Sequence, residues 1–197
     1  NVVFQKNRLG KWSIFSKQYL FEDGEQRTKT PESYFDKYTT TDGTEEIKDL
    51  FERVAFDFPK PTGVIANLVS WSGSNNAIVL DFMAGSGTTG HAVLQLNKED
   101  GGNRRFILCT NNENNIATDV CYPRIKKVIT GYKNAKGEQI TGLGGNLKYF
   151  RTAFVGAEPN DKNKEVLTRQ ATEMLCIHED TFEPVKEAQA IKIFRSG

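Results

Sequence analysis

An α/β fold built on a parallel sheet is what this sequence predicts, and three observations predict it. The run Ala77-Ile78-Val79-Leu80 is apolar without alternation and too short for a helix, as expected of a parallel strand buried on both faces. It ends in Asp81 and passes through the glycine-rich Phe82-Met83-Ala84-Gly85-Ser86-Gly87 into Thr88-Thr89, which open an apolar helix through Ala92, Val93, Leu94 and Leu96. A second β-prone run, Arg105-Phe106-Ile107-Leu108-Cys109-Thr110, follows that helix. Strand, tight loop, helix and strand are the parts of a crossover unit, so the expected architecture is α/β with a parallel pair of strands at its centre.

Val2-Val3-Phe4 and Trp12-Ser13-Ile14-Phe15 flank Gly10-Lys11 and predict a hairpin. In the same stretch Lys6, Arg8, Lys11 and Lys17 interleave with Phe4, Trp12, Phe15 and Tyr19, a mixture that suits either DNA phosphates and bases or a solvated ribbon with its aromatics in a core. Residues 22–43 are rich in Asp, Glu, Thr, Lys and Gly and read as a loop or crossing segment. Ile47, Leu50, Phe51 and Val54 recur at helical spacing and deliver the chain to Phe58-Pro59-Lys60-Pro61, where two prolines hold an extended, stiff shape. A short helix from Thr62 carries Val64, Ile65, Leu68 and Val69 and leads through Ser72-Gly73-Ser74-Asn75-Asn76 to the central strand. Pro123 stands in the first turn of a helix through Arg124, Ile125, Val128 and Ile129. Residues 131–145 read as loop, and the alternation of residues 147–154 predicts a third strand. A polar linker over 158–164 precedes Val166, Leu167, Met174 and Leu175, which predict a helical C-terminal extension.

Composition narrows the function classes without choosing one. The chain has 197 residues, is 38% hydrophobic and 26% charged, and carries a formal net charge of +1, so no strong field draws it to nucleic acid and any DNA contact must be a local patch. No apolar run is long enough to span a membrane, and Asn1-Val2-Val3-Phe4-Gln5-Lys6 is no secretory leader. Asn1 in place of a starting Met suggests an excised piece. Cys109, Cys121 and Cys176 lack the paired spacing of a zinc site and are expected to be buried or inert thiols in a reducing cytoplasm.

The glycine loop admits three ligand classes. Gly85-x-Gly87-x-x-Gly90 fits a dinucleotide fingerprint, but the strand that follows ends in Asn111-Asn112-Glu113, with amides first and the acid late. A P-loop would need Lys-Ser/Thr after Gly90, where the chain has His91-Ala92. Asp81 just before the glycines suits a cofactor with a cationic centre and an amino group, as S-adenosylmethionine has. His91 and His178 have no matching ligand set and read as packing or capping residues, and no Gly-x-Ser-x-Gly elbow surrounds Ser86.

Residues Asp81-Phe82-Met83-Ala84-Gly85-Ser86-Gly87-Thr88-Thr89 resemble the cofactor loop of DNA amino-methyltransferases, and Phe56-Asp57-Phe58-Pro59-Lys60-Pro61 resembles the segment that precedes it in the group whose catalytic motif comes first. Leu96-Asn97-Lys98-Glu99-Asp100-Gly101-Gly102-Asn103-Arg104-Arg105-Phe106-Ile107-Leu108 is similar to the modification (Mod) subunit of Type III restriction-modification systems, as is Thr172-Glu173-Met174-Leu175-Cys176. From about residue 43 to the C-terminus, the chain thus looks like the C-terminal part of such a subunit, a DNA adenine-N6 methyltransferase. That resemblance implies a partial Rossmann-like sheet, with the end of a target-recognition region or a β-ribbon over 1–43, the cofactor-binding part over 44–155 and an extension over 156–197.

It also implies a site. Phe58 and Lys60 would border the cofactor, with Lys60 at the methionine carboxylate; Asp81, Phe82, Met83, Ala84, Gly85, Ser86, Gly87, Thr88 and Thr89 would form the loop; Asn111, Asn112 and Glu113 would face the ribose. The expected partners are double-stranded DNA, a restriction subunit and a second methyltransferase subunit, in the cytoplasm and not in a membrane. The family's Asp/Asn-Pro-Pro-Tyr/Phe motif is missing, since none of the six prolines adjoins another, so no catalytic residue is assigned and the chain alone is expected to transfer no methyl group. Two other readings stand beside this one: an NAD- or nucleotide-binding regulatory domain, and a scaffold that only contacts a restriction subunit.

Overall fold

The computed structural model describes residues 2–6, 10–16, 21–22, 25–26, 37–179, 181–188 and 191–195. The chain divides into two compact units, Asn1–Leu147 and Lys148–Gly197. Its architecture is mixed α/β with small, separate two-stranded sheets.

In the first unit, β1 (Val2–Lys6) and β2 (Trp12–Ser16) form the expected antiparallel hairpin. Trp12 is exposed and carries the Lys6 ammonium 5.2 Å from its ring centroid, so this aromatic does not enter a core. Arg8, Lys17 and Tyr19 lie outside the described residues. The segment read as loop contains a small antiparallel pair, β3 (Phe21–Glu22) with β4 (Glu25–Gln26), and its end is already helical. Helix α1 (Thr40–Phe51) starts ahead of its apolar stripe because the Asp42 carboxylate accepts the Thr39 N–H at 2.6 Å and satisfies a donor at the helix entrance. Helix α2 (Thr62–Ser70) begins directly after Pro61, where a missing N–H costs nothing.

The central unit is the predicted one. Strand β5 (Ile78–Asp81) pairs in parallel with β6 (Arg105–Leu108), and α3 (Thr88–Asp100) crosses between them. Among the described residues β5 pairs with no other strand, so a larger sheet is not seen. The expectation of burial on both faces fails as well. Val79, Phe106 and Leu108 turn inward, whereas Ile78, Leu80 and Ile107 are 55%, 60% and 51% exposed on the other face, which no helix among the described residues covers.

The covered face carries the core. Leu50, Leu94, Ile125 and Val128 pack together with Phe106, Leu108, Tyr132 and Leu143 around them, and Ala66, Ala92 and Leu96 join α2 to α3. Burying such side chains is worth about 1.5 to 3 kcal/mol each for the larger ones, so these clusters fix how the helices lie on the strands. Helix α4 (Tyr122–Thr130) follows a π-helical stretch, Ile116–Cys121, and carries Pro123 in its first turn as predicted. The expected loop over 131–145 is instead a hairpin, β7 (Gly131–Lys133) with β8 (Gln139–Thr141). Its turn is held by Asn134, whose side-chain oxygen accepts the N–H groups of Lys136 and Glu138, so an asparagine mimics a backbone turn. The third strand expected over 147–154 does not form: residues 142–160 contain no helix or strand, and alternation without a partner does not make a ladder.

The connection between α3 and β6 explains the sequence Asn97 to Arg104. The Asn97 amide donates to the Arg104 carbonyl at 2.8 Å and accepts the Arg104 N–H at 3.0 Å. The buried Arg104 guanidinium grips both Asp100 carboxylate oxygens at 3.0 and 2.8 Å and donates to the Ser74 carbonyl at 3.0 Å.

In the second unit, α5 (Asp161–Glu179) begins within the expected linker and is followed by an antiparallel hairpin, β9 (Glu183–Ala188) with β10 (Ile191–Arg195). The extension is therefore not purely helical. Cys176 is buried in it, Arg195 pairs with Glu183, and the rings of Phe150 and Phe182 lie 6.3 Å apart.

Candidate functional site

The site grows out of the end of β5. One Asp81 oxygen accepts the Met83 N–H at 3.0 Å and the other accepts the Thr89 hydroxyl at 2.5 Å, so the carboxylate ties the start of the loop to the first turn of α3. The loop is also stitched to the next strand: Cys109 N–H donates to the Asp81 carbonyl at 2.8 Å, and Ala84 N–H donates to the Cys109 carbonyl at 3.1 Å. Gly85 and Gly87 adopt φ of 51° and 80°, a region that costs other residues about 1 kcal/mol or more. A Cβ on Gly85 would meet nothing nearer than 3.5 Å and would fill open space beside the Phe56 ring, whereas one on Gly87 would press on the Cys121 sulfur at 3.0 Å.

What this loop presents is backbone and apolar surface. Ser86, Thr88 and Thr89 are buried with their hydroxyls bonded inward, and Gly87 offers α3 no side-chain cap, which leaves the first-turn N–H groups to another acceptor. Phe82 and Met83 are 73% and 80% exposed beside it.

The segment before α2 is brought against this loop. The Thr88 hydroxyl donates to the Lys60 carbonyl at 3.3 Å, so the Phe58-Pro59-Lys60-Pro61 segment and the glycines share one wall. Pro59 is buried, and its carbonyl lies where a side chain on Gly43 of α1 would have to go. Phe58, by contrast, is 82% exposed and holds a left-handed φ of 54°, an uncommon state for a bulky residue that recurs at ligand sites. Lys60 is exposed, and its backbone carbonyl is the group that meets Thr88.

The third predicted group lies two residues beyond Cys109. Asn111 and Glu113 are exposed, with the Asn111 amide 3.4 Å from a Glu113 oxygen. Asn112 is engaged differently: its side-chain oxygen accepts the N–H groups of Ala117 and Thr118 and so caps the turn that leads to α4. Asn114 and Asn115 both have positive φ, which bends the chain sharply at this point.

Behind the loop lies a feature that the sequence reading missed. The Arg124 guanidinium is fully buried and donates through Nη1 to the hydroxyls of Ser86 at 3.1 Å and Thr88 at 2.9 Å, and through Nη2 to Thr62 at 3.0 Å and Glu46 at 3.1 Å. Nη2 also lies 3.3 Å from His91 Nδ1, which fixes that nitrogen as an acceptor and the imidazole as neutral. Burial and then the Arg124 charge push the His91 pKa down to about 3, from 6.5. Burial lowers the pKa of Arg124 as well, while Glu46 opposes the shift. The signal was a single basic residue on the same stripe as Ile125 and Val128, where an apolar side chain is expected.

Among the described residues no group of three His, Cys, Asp or Glu side chains could hold a metal, and no helix is long and apolar enough to cross a membrane. Cys121 and Cys176 are buried, and burial pushes the Cys121 thiol up to about 11; Cys109 is exposed.

Residues 3–169 match the family model described as DNA methylase. The chain is 44% identical over 101 residues to the Type III restriction-modification enzyme StyLTI Mod subunit of Salmonella typhimurium strain LT2, a match covering 49% of this chain and 16% of that protein. It is 44% identical over 92 residues to the EcoPI Mod subunit of Escherichia phage P1, covering 46% and 14%, and 39% identical over 85 residues to the Type II methyltransferase M.KpnI of Klebsiella pneumoniae, covering 43% and 20%. The chain thus spans no more than a fifth of the length of these relatives. With a family match over most of its length and the glycine loop that the match includes, this chain belongs to the DNA methylase family.

Proposed function

We propose that this chain is the cofactor-binding portion of a Mod-like DNA adenine-N6 methyltransferase of a restriction-modification system, with S-adenosylmethionine as methyl donor. The observation that carries the reading is the joined wall of the site: the open glycine loop held on Asp81, with the Lys60 carbonyl bonded to Thr88 so that both cofactor segments face one place. The residues fit such a ligand. First-turn N–H groups of α3 and the Lys60 ammonium suit the methionine carboxylate, the exposed Phe58, Phe82 and Met83 suit the adenine ring, and Asn111 and Glu113 suit the ribose hydroxyls. Bound there, the cofactor supplies an electrophilic methyl group. The β5–β6 pair then belongs to a larger Rossmann-like sheet whose other strands lie in the rest of the subunit.

In the whole subunit the acceptor is a flipped adenine, since the amino nitrogen of a paired base cannot reach a methyl group from inside the duplex. Double-stranded DNA, a restriction subunit and a second methyltransferase subunit are the partners that this reading implies, in the cytoplasm. Support comes from relatives named as Mod subunits and from the exposed Trp12 and Lys6 pair on the hairpin, which suits contact with nucleic acid. Calorimetric titration of the chain with S-adenosylmethionine and with NAD tests the site. Saturable binding of the former and not the latter is expected, and tighter binding of NAD would overturn the proposal in favour of a nucleotide-binding regulatory domain.

A further inference from the structure

We infer that Arg124 is a positioning residue for the methionine end of the cofactor, acting through the two backbone segments that form that wall; the inference rests on the proposed S-adenosylmethionine site. Packing alone does not explain it. A fully buried guanidinium is costly, and an aliphatic side chain of similar volume would fill the same space without the cost of removing a charge from water. The Nε hydrogen has no partner, so even this network leaves one donor unsatisfied, and what is gained must lie in the other contacts.

Those contacts are divided between the two segments of that wall. Nη1 holds the hydroxyls of Ser86 and Thr88, on the inner side of the glycine loop. Nη2 holds Thr62, the residue directly after Pro61, and Glu46 of α1, the helix whose Gly43 abuts the Pro59 carbonyl. The Glu46 carboxylate in turn accepts the Thr62 N–H at 3.0 Å and its hydroxyl at 2.5 Å. Thr88 completes the circuit: it accepts from Nη1 and donates onward to the Lys60 carbonyl. A planar fork of fixed angle therefore sets the spacing between the Gly85–Gly87 backbone and Lys60, the groups that would meet the carboxylate from opposite sides. A lysine offers charge at one point and cannot span both pairs of hydroxyls.

The consequence is selective. S-adenosylhomocysteine and 5′-methylthioadenosine share the adenosine and a neutral sulfur but differ in the amino-acid tail, so a residue that positions the tail site affects only the first. The chain and its Arg124→Lys variant are titrated with both ligands, with near-ultraviolet circular dichroism as the check of folding. A folded Arg124→Lys is expected to bind S-adenosylhomocysteine roughly tenfold or more weakly while 5′-methylthioadenosine changes by less than about twofold. Equal weakening of both ligands, or of neither, overturns the inference and leaves Arg124 a structural residue. If Arg124→Lys does not fold, Glu46→Gln serves, because Glu46 is partly exposed and its loss leaves the guanidinium hydroxyl partners in place; the same selective loss at smaller size is expected, and unchanged discrimination between the ligands refutes the role. Failure of the unaltered chain to bind either ligand refutes the cofactor site itself, a result separate from any effect of Arg124.

Discussion

Replacing His91 with glutamine should remove most of the chain's loss of stability between about pH 7 and about pH 5, a size that follows from the imidazole's surroundings. His91 meets the Arg124 guanidinium from α4 and the Thr62 hydroxyl from α2, with Glu46 of α1 on the same guanidinium and Tyr132 of β7 across a small cavity. Its folded pKa is pushed down to about 3, so the native state refuses a proton that the unfolded chain takes up near 6.5. A base depressed in this way leaves stability intact above the unfolded pKa; stability then falls as pH drops, until the folded pKa is reached. Between about pH 7 and about pH 5 the loss is about 2 kcal/mol, the free energy of protonating one ordinary imidazole in the unfolded state alone. Asp100 is lowered by its bonds to Arg104 and loses its contribution only below the ordinary carboxylate range, outside the window. Glutamine keeps an oxygen for Arg124 to donate to and takes no proton. Urea unfolding followed by tryptophan fluorescence at each pH measures the difference. Parallel pH dependence in the two proteins, or an imidazole resonance for His91 titrating near its ordinary value, would refute the neutral, buried histidine.

Gly85→Val should leave a folded chain, since the built Cβ has room, yet abolish S-adenosylmethionine binding by filling the space beside Phe56 and straining a φ of 51°; calorimetry of the variant checks both points. Asn97→Ala should cost about 1 to 3 kcal/mol in denaturant unfolding, because the Arg104 N–H and carbonyl lose their partner together. Toward a thiol reagent at mildly alkaline pH, Cys109 should react fast and Cys121 only on unfolding, its thiol being buried and pushed up to about 11; mass mapping of labelled peptides distinguishes them.

The sequence made legible what depends on neighbours along the chain. Asp81, the two glycines and Thr88-Thr89 define strand end, loop and helix start within nine residues, and the structure has each where the pattern puts it. The Arg124 network escaped because its partners are 78, 62, 38 and 36 residues away, and nothing in local spacing marks a hydroxyl as facing inward. Burial of Ile78 and Leu80 was misread for a related reason: an apolar run reports the environment a strand is suited to, and here one face is left open. Residues 147–154 show the converse, an alternating pattern with no partner strand, while Asn134 closes a hairpin within residues 131–145, which read as loop. Of the candidate site, the resemblance named the Lys60 segment and the glycine loop, but neither the bond between the Lys60 carbonyl and the Thr88 hydroxyl nor the turn capped by Asn112 could be read from spacing.

The clamp between α3 and β6 bears on how such a chain can diverge. Surface connections ordinarily drift in length, since added residues loop out into solvent. Here Asn97 holds both backbone groups of Arg104, and Arg104 reaches back to Asp100 and across to Ser74, so the six residues between them form a closed ring of set circumference. An insertion would break two or more of these bonds at once. The exposed side chains of Lys98 and Glu99 can therefore be exchanged without touching this ring, whereas a residue added between Asn97 and Arg104 cannot be absorbed by it.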